Sequence, residues 1–306
     1  MTAAPPPFPT PDRAASAAAF LGSAHPAARA ERLVAERYRL DEMIGHGASG
    51  SVWAATDQLL RRRVALKKLS IPRNMSPAEA EAVRARTLQE ARAAAALSNP
   101  HVVTVFDILS STDTGPVIVM ELLTGTALNK IIARLGRLAP GQAGTVGIAI
   151  GSALLAAHAA GITHRDVKPS NVVIGETGLI KLTDFGIARN FQDRPLSGSR
   201  TIEGSPAYLA PEIIGGDPPG PMSDTWSLGA LLFACVEGRP PFDAGSGLDT
   251  VAAVVNDPVP PHPDAGPLDE VIDGLLVKSP SLRMGIEEAV NRLRYTADDP
   301  SGTHFQ

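Results

Sequence analysis

Hydrophobic residues in the first half of the chain fall in short bursts at 51–55, 63–69, 102–109 and 117–120, each bounded by polar or Gly/Pro turns. Alternation over runs of this length predicts half-buried β-strands. One helix interrupts the series. Ser76-Pro77-Ala78-Glu79 combines an N-cap serine, proline at the first helical position and glutamate at N3, and the Ala-rich run that follows stops at Ser98-Asn99-Pro100. Beyond Gly125 the apolar spacing lengthens to helical periods separated by Pro/Gly-rich loops, so the second half is predicted to be mainly helical. The N-terminal stretch is rich in Ala and Pro with almost no apolar period. It cannot bury enough surface to offset the entropy of ordering, and residues 1–37 are predicted to be a disordered tail before globular sequence begins near Tyr38.

The run 138–164 contains no Asp, Glu, Lys or Arg, and Gly147 and Gly151 carry the GxxxG spacing of membrane-helix contacts. Its Ala/Gly content, with Pro140, Ser152 and His158 inside it, favours a buried core helix, and no other stretch is long enough to cross a bilayer. A soluble chain without a membrane span is expected. The length of 306 residues and a hydrophobic fraction of 44% suffice for a sizeable core, and the 28 Gly and 27 Pro imply plentiful loops. With 28 basic against 32 acidic residues, the net charge of -4 gives no general attraction to nucleic acid or anionic membrane. The single cysteine, Cys235, allows no intrachain disulfide and no cysteine-based zinc site. It lies in the apolar run 231–236 and reads as a packed core thiol. A reducing, cytoplasmic setting is expected.

Ile44-Gly45-His46-Gly47-Ala48-Ser49-Gly50 contains a GxGxxG spacing. A dinucleotide-binding fold would open a helix after the third glycine, whereas here 51–55 alternates, 56–58 turns, and 64–67 begins another apolar run. That is a Gly-rich hairpin, whose backbone amides can approach phosphate oxygens with no side chain in the way. The motif by itself leaves a ligand-free glycine turn open. Lys67 closes the run Val64-Ala65-Leu66, a position that suits a cation reaching a phosphate or a carboxylate, and Glu90 on the capped helix is a candidate for the latter. Taken singly, both read equally as surface charges. His164-Arg165-Asp166-Val167-Lys168-Pro169-Ser170-Asn171 packs five functional polar side chains into one short loop directly after the uncharged helix. Downstream, Asp184-Phe185-Gly186 follows the strand-like Ile180-Lys181-Leu182-Thr183. Asn171 and Asp184 offer hard oxygen ligands of the kind Mg²⁺ prefers.

In this order, with Ala210-Pro211-Glu212 after them, the motifs resemble those of a eukaryotic-type (Hanks-type) serine/threonine protein kinase over residues 38–294. The Ala-rich helix and the phrase running from Gly161-Ile162-Thr163-His164 to Asn171 resemble the bacterial branch of that family. The resemblance implies an α+β, bilobal fold, with a small antiparallel-sheet N-lobe (38–120) carrying one key helix, a hinge (121–125), a larger mainly helical C-lobe (126–294) and a tail (295–306). It implies transfer of the γ-phosphate of ATP to Ser/Thr hydroxyls of proteins, with Mg²⁺ as cofactor and Mn²⁺ as the alternative. Residue by residue, Ile44, Gly45, Gly47 and Gly50 would cover the nucleotide and its phosphates, and Val52 and Ala65 would sandwich the adenine. Met120 would guard the back of the pocket, and the backbone of Glu121 and Leu123 would hydrogen-bond the purine. Lys67, paired to Glu90, would contact the α- and β-phosphates. Asp166 would orient the substrate hydroxyl and accept its proton, Lys168 would steady the transferring phosphate, and Asn171 with Asp184 would hold the metal. Lys168 also argues for Ser/Thr rather than tyrosine substrates. Glu212 would pair with Arg283, and Asp224 would brace the backbone beside Asp166.

Arg165 beside the catalytic aspartate is a ready partner for a phosphate on the activation segment, where Ser197, Ser199 and Thr201 lie. Autophosphorylation there, through a homodimer, is the expected regulatory device, with Ser197 or Ser199 favoured. Two departures from the family pattern bear on substrate choice, the Gly/Pro-rich stretch 215–221 and the missing proline after Arg283, while Ser205 in place of threonine is a mild change that keeps the hydroxyl. Protein substrates carrying Ser/Thr are the expected partners. A nucleotide-binding scaffold would normally have lost Lys67, Asp166 or Asp184, and small-molecule phosphotransferases on this fold usually lack the full activation segment.

Overall fold

The computed structural model describes residues 33–47, 50–70, 75–109, 115–185 and 206–297. The N-terminal part is an antiparallel sheet of six strands, β1 (Leu33–Val34), β2 (Tyr38–Gly47), β3 (Gly50–Asp57), β4 (Arg62–Leu69), β5 (Val105–Leu109) and β6 (Val117–Glu121), in the order β1-β2-β3-β4-β6-β5. Apolar residues alternate across it. Tyr38, Ala55, Val64, Leu66, Val117 and Val119 form a buried cluster on one face. On the other face Leu69 and Ile118 join the main core, to which α1 (Pro77–Ala95) contributes Ala91 and Ala94. The predicted capping box of α1 is present: Ser76 Oγ accepts from the Glu79 N–H, and the Glu79 carboxylate accepts from the Ser76 N–H at 2.8 Å.

The globular fold starts earlier than the sequence pattern indicates. Leu33 and Val34 pair with Arg39 and Tyr38, across a turn in which Ala35 and Glu36 adopt left-handed backbone with φ of 49° and 54°. Turns of this kind usually advertise themselves with glycine or asparagine, and neither is present. At the other end the last helix extends to Ala297, beyond the expected boundary at 294. Of the tails predicted for 1–37 and 295–306, residues 1–32 and 298–306 lie outside the described residues.

Strand β6 leads through residues 122–124 into a second, three-stranded sheet of β7 (Gly125–Ala127), β8 (Val172–Gly175) and β9 (Ile180–Leu182). The remainder is helical: α2 (Leu128–Leu135), α3 (Pro140–Ala159), α4 (Pro211–Ile214), α5 (Pro221–Glu237), α6 (Gly247–Asn256), α7 (Asp269–Leu275) and α8 (Ile286–Ala297). Helix α5 is the axis of this part, buried continuously from Ser223 to Val236. Helix α3 meets membrane-helix criteria of length and hydropathy, yet it packs between α5 and α8. Its GxxxG pair serves that packing. A β-carbon on Gly147 would come within 2.7 Å of Leu293 and 2.9 Å of Leu232, and one on Gly151 within 2.4 Å of Val290. Close helix approach, which glycines allow in lipid, is here used inside a protein core. Cys235 is fully buried on α5, and burial pushes its thiol up to about 12, as a packed and unreactive sulfur should behave.

Candidate active site

The site lies where the six-stranded sheet meets the helical part. The glycine hairpin closes with Gly45 opposite Val52, His46 opposite Ser51 and Gly47 opposite Gly50. Gly50 has φ of 132°, and a β-carbon there would lie 1.9 Å from the Lys68 carbonyl oxygen, so only glycine fits. Ile44 is half exposed at the rim. Beneath the hairpin, Ala65, Met120 and Val103 form a small apolar cluster joined by Val52, Leu122 and Leu123. Ala65 and Met120 are register partners on β4 and β6. The predicted adenine residues therefore share one greasy slot, and a pocket continues past Met120 between Ala94 of α1 and Phe185. The Glu121 backbone N–H donates to the Thr104 carbonyl at 2.9 Å. Its carboxylate accepts from the nearly buried Lys181 Nζ at 2.8 Å, a part-exposed ion pair tying the end of β6 to β9 that the sequence pattern did not reveal.

Asp224, buried near the start of α5, organises the loop before β8. Its carboxylate accepts from the backbone N–H of His164 at 2.7 Å and of Arg165 at 2.8 Å, and His158 Nε2 lies at 2.8 Å from the same group. These bonds hold Arg165 in left-handed backbone, φ 69°, a conformation that costs energy for any residue but glycine and so needs such reinforcement. In the sequence the only signal of His158 is a polar ring inside an uncharged helix. The His164 ring is fully buried. Nδ1 accepts from the Asp166 N–H at 3.2 Å, which leaves Nε2 as the protonated nitrogen, donating to the Thr183 carbonyl at 3.0 Å. Burial holds its pKa below the ordinary histidine value and keeps the ring neutral. It packs against Phe185, ring centres 4.6 Å apart.

The polar residues singled out in the sequence converge. Asp166 Oδ2 accepts from Lys168 Nζ at 2.9 Å and from Asn171 Nδ2 at 2.9 Å, and Asn171 Nδ2 also reaches the Asp166 carbonyl at 2.8 Å. The Thr183 N–H and Oγ1 both donate to the Asn171 carbonyl, at 2.8 and 3.1 Å, which places Asp184 beside this loop. Asp184, with φ of 59°, joins Arg165 as a left-handed non-glycine residue within the site.

One expected pair is not formed. Lys67 Nζ contacts Asp184 Oδ1 at 2.7 Å, and Glu90 is instead engaged by Arg165 Nη1 at 3.4 Å and by Arg86 Nε at 3.5 Å. The reason is competition for a nearly buried amine. Asp184 is the carboxylate within reach of Lys67, while the position of α1 points Glu90 at two guanidinium groups. Ser197, Ser199 and Thr201 lie outside the described residues. Arg283, its side chain fully buried, grips Glu212 with two parallel bonds of 2.7 and 2.8 Å, and donates further to the Val277 and Lys278 carbonyls.

A family model described as protein kinase domain matches residues 38–293. The chain is 41% identical over 254 residues to the serine/threonine-protein kinase PknA of Mycobacterium tuberculosis, an alignment covering 81% of this chain and 58% of that protein. It is 38% identical over 235 residues to the probable serine/threonine-protein kinase PknB of Corynebacterium glutamicum, covering 75% and 36%, and 36% identical over 252 residues to PknD of Mycobacterium tuberculosis, covering 80% and 37%. The chain thus spans a little over half of the first relative and about a third of the other two. Fold, converging polar residues and similarity across nearly the whole described region agree: the chain belongs to the protein kinase domain family, in its Hanks-type bacterial serine/threonine branch.

Proposed function

We propose that this chain transfers the γ-phosphate of ATP to Ser or Thr hydroxyls of protein substrates. The observation that carries this reading is the environment of Asp166. Its carboxylate is aimed by Asn171 and Lys168, on a loop held rigid by Asp224, beside the strand end that presents Asp184 next to Lys67. Such a reaction asks the protein mainly for positioning and charge stabilisation. Asp166 orients the acceptor hydroxyl and takes its proton. Lys168, bonded to that carboxylate, offsets the negative charge that builds on the transferring group. Val52, Ala65, Met120 and Leu123 enclose the adenine, with the Glu121 carbonyl and the Leu123 backbone meeting its polar edge.

The donor set suits a divalent cation. Asn171 spends its amide nitrogen on Asp166, which turns the amide oxygen away from that bond, and Asp184 supplies a carboxylate on the neighbouring strand end; both are hard oxygen ligands. Mg²⁺, or Mn²⁺ in its place, would be held by these two residues and would neutralise phosphate charge. Lys67 then moves from Asp184 to the α- and β-phosphates, and Glu90 becomes its partner.

That exchange gives a route to regulation. The Arg165–Glu90 contact is long and partly exposed, and a phosphate on Ser197, Ser199 or Thr201 is the stronger, bidentate acceptor for the same guanidinium. Occupied by phosphate, Arg165 releases Glu90 toward Lys67. Autophosphorylation between two copies would supply that phosphate, and a cytoplasmic setting supplies ATP and protein acceptors.

The test is transfer of labelled γ-phosphate from ATP to the chain itself and to a generic protein, with Asp166→Asn as control and phosphosites mapped by mass spectrometry. Metal-dependent transfer that Asp166→Asn abolishes, with nucleotide binding retained, supports the reading. Equal silence of both chains with nucleotide still bound makes the protein a scaffold instead. Failure of the wild-type chain to phosphorylate the inactive Asp166→Asn chain removes the two-copy step.

A further inference from the structure

Away from the cleft, the loop after α6 and the first turns of α7 bring together three side chains with no part in phosphate transfer. His262 is nine-tenths buried in that loop, its ring tilted against Phe233 at 5.6 Å between centres. Its Nδ1 lies 3.0 Å from the Pro260 carbonyl oxygen, and a carbonyl can only accept, so Nδ1 carries the proton. In its neutral form the ring turns a bare Nε2 lone pair toward two carboxylates, Asp269 Oδ1 at 3.0 Å and Asp273 Oδ1 at 3.6 Å, and Nε2 makes no hydrogen bond of acceptable geometry. Asp269 and Asp273 stand four residues apart on α7 and so share one face. Among the described residues no lysine or arginine pairs with either of them; Arg292 is taken by Glu270 and Glu288. Three electron-pair donors pointed at one another repel unless something positive lies between them.

We propose that His262, Asp269 and Asp273 form a binding site for a divalent transition-metal ion, with zinc the best fit. Three observations support the choice. The three ligand atoms lie within 4.8 Å of one another. Tetrahedral zinc with bonds of about 2.0–2.2 Å needs ligand atoms roughly 3.3–3.6 Å apart, and the two separations from Nε2, 3.0 and 3.6 Å, lie close to that span. The Pro260 carbonyl plays the outer-sphere part that ligating histidines generally require, fixing the tautomer that leaves Nε2 free to bind. An imidazole with two carboxylates suits zinc, whereas Mg²⁺ prefers oxygen and water alone. Both aspartates are more than half exposed, so the ion has an entry path and water can complete its shell. Bound there, it would staple the Pro-rich loop to α7, and hence to the back of α5, without touching the nucleotide cleft. This inference does not depend on the proposed phosphotransfer.

The full chain, stripped with chelator and dialysed, is titrated with zinc chloride by calorimetry, and its Tm is followed with zinc and separately with magnesium, no nucleotide being present. Because Asp184 and Asn171 also offer oxygen ligands, Asp184→Asn is the counter-control. The expected result is a zinc site and a zinc-specific rise in Tm of about 5 °C at saturation. Both are retained by Asp184→Asn and lost in Asp269→Asn and in Asp273→Asn, whose exposed positions should leave folding intact. Zinc binding equal in wild type and both aspartate variants, or no zinc binding in wild type, overturns the proposal. So does a nitrogen NMR spectrum showing both ring nitrogens of His262 protonated in the presence of zinc, since an imidazolium would then be the positive group between the carboxylates.

Discussion

Lys67 Nζ sits 2.7 Å from Asp184 Oδ1, so the amine expected on the nucleotide phosphates is bound to the carboxylate expected on the metal. In the proposed reaction Lys67 turns its donors from this carboxylate to the phosphates. Glu90 is the replacement partner for Lys67, and it is held by Arg165 and Arg86. Glu90→Gln weakens those contacts but leaves Lys67 without a carboxylate once Asp184 turns to the metal. Its kcat should fall at least about tenfold, equivalent to roughly 1.4 kcal/mol of barrier, with nucleotide Kd nearly unchanged. Arg165→Ala should behave differently. It removes the Arg165 contact to Glu90 without a phosphate, so activity should become insensitive to phosphatase treatment. Steady-state kinetics before and after dephosphorylation distinguish the two variants, and an Arg165→Ala enzyme that still responds to phosphatase would sever Arg165 from regulation.

Asp224 holds strain in place. Arg165 keeps a φ of 69° while its N–H and that of His164 bond to one buried carboxylate, which His158 also contacts. Asn in place of Asp224 still accepts one of these bonds but loses the charge. We expect Asp224→Asn to lower kcat by about 10- to 100-fold, on the order of 1.5–3 kcal/mol for weakened charged hydrogen bonds. His158→Phe, which removes one contact and keeps the ring volume, should cost less than Asp224→Asn. Amide exchange at His164 and Arg165 should rise in both. An unchanged exchange rate in Asp224→Asn would mean that the loop is held by packing alone.

What the sequence made legible, and what it left hidden, follows from where each residue's partner lies. Asp166, Lys168 and Asn171 occur within one short segment, and their types and order carry the chemistry before any folding is considered. The α1 cap is equally local, a Ser and a Glu three residues apart. The partner of Lys67 is a different problem, because choosing between Glu90 and Asp184 depends on where α1 rests against the sheet. His158 reaches Asp224 across 66 residues and Lys181 reaches Glu121 across 60, and no local pattern announces either pair. The strand β1 escaped notice because its turn uses Ala35 and Glu36 in a conformation that normally selects glycine.

Arg283 shows how a single buried cation can be fully satisfied. Its side chain is 0% exposed, and its guanidinium bonds to both oxygens of Glu212 and to backbone carbonyls, Val277 and Lys278 among them. Removing one partner strands the other. Glu212→Ala should destabilise the fold by about 3–5 kcal/mol and lower Tm by roughly 10 °C. Arg283→Lys should also be costly, since an ammonium cannot reproduce the two parallel bonds. Thermal unfolding of the two variants measures this. A Glu212→Ala loss below about 1 kcal/mol would place the pair among surface ion pairs in energetic terms, against the complete burial of Arg283.

The acid limb of stability should report on Asp57. This carboxylate, at the end of β3, accepts two bonds from Arg37 at 2.7 and 2.9 Å and two more from the Leu59 and Leu60 N–H groups at 3.1 Å. The Arg37 hydrogen bonds are the main cause that lowers its pKa to about 2, against a burial penalty acting the other way. A depressed carboxylate binds its proton more weakly in the folded chain than in the unfolded one. Its contribution is therefore complete above the unfolded value of about 3.9 and is lost as pH falls from there toward about 2. Asp57→Asn keeps an oxygen for Leu59 and Leu60 but leaves Arg37 with only the longer contact to Asp107, at 3.4 Å. We expect the variant to be less stable by about 1–3 kcal/mol at pH 7, and the gap from wild type to narrow steadily between pH 4 and pH 2. Urea unfolding at a series of pH values gives both curves. A gap that stays constant down to pH 2 would assign the loss to altered packing and remove the ion pair as its cause.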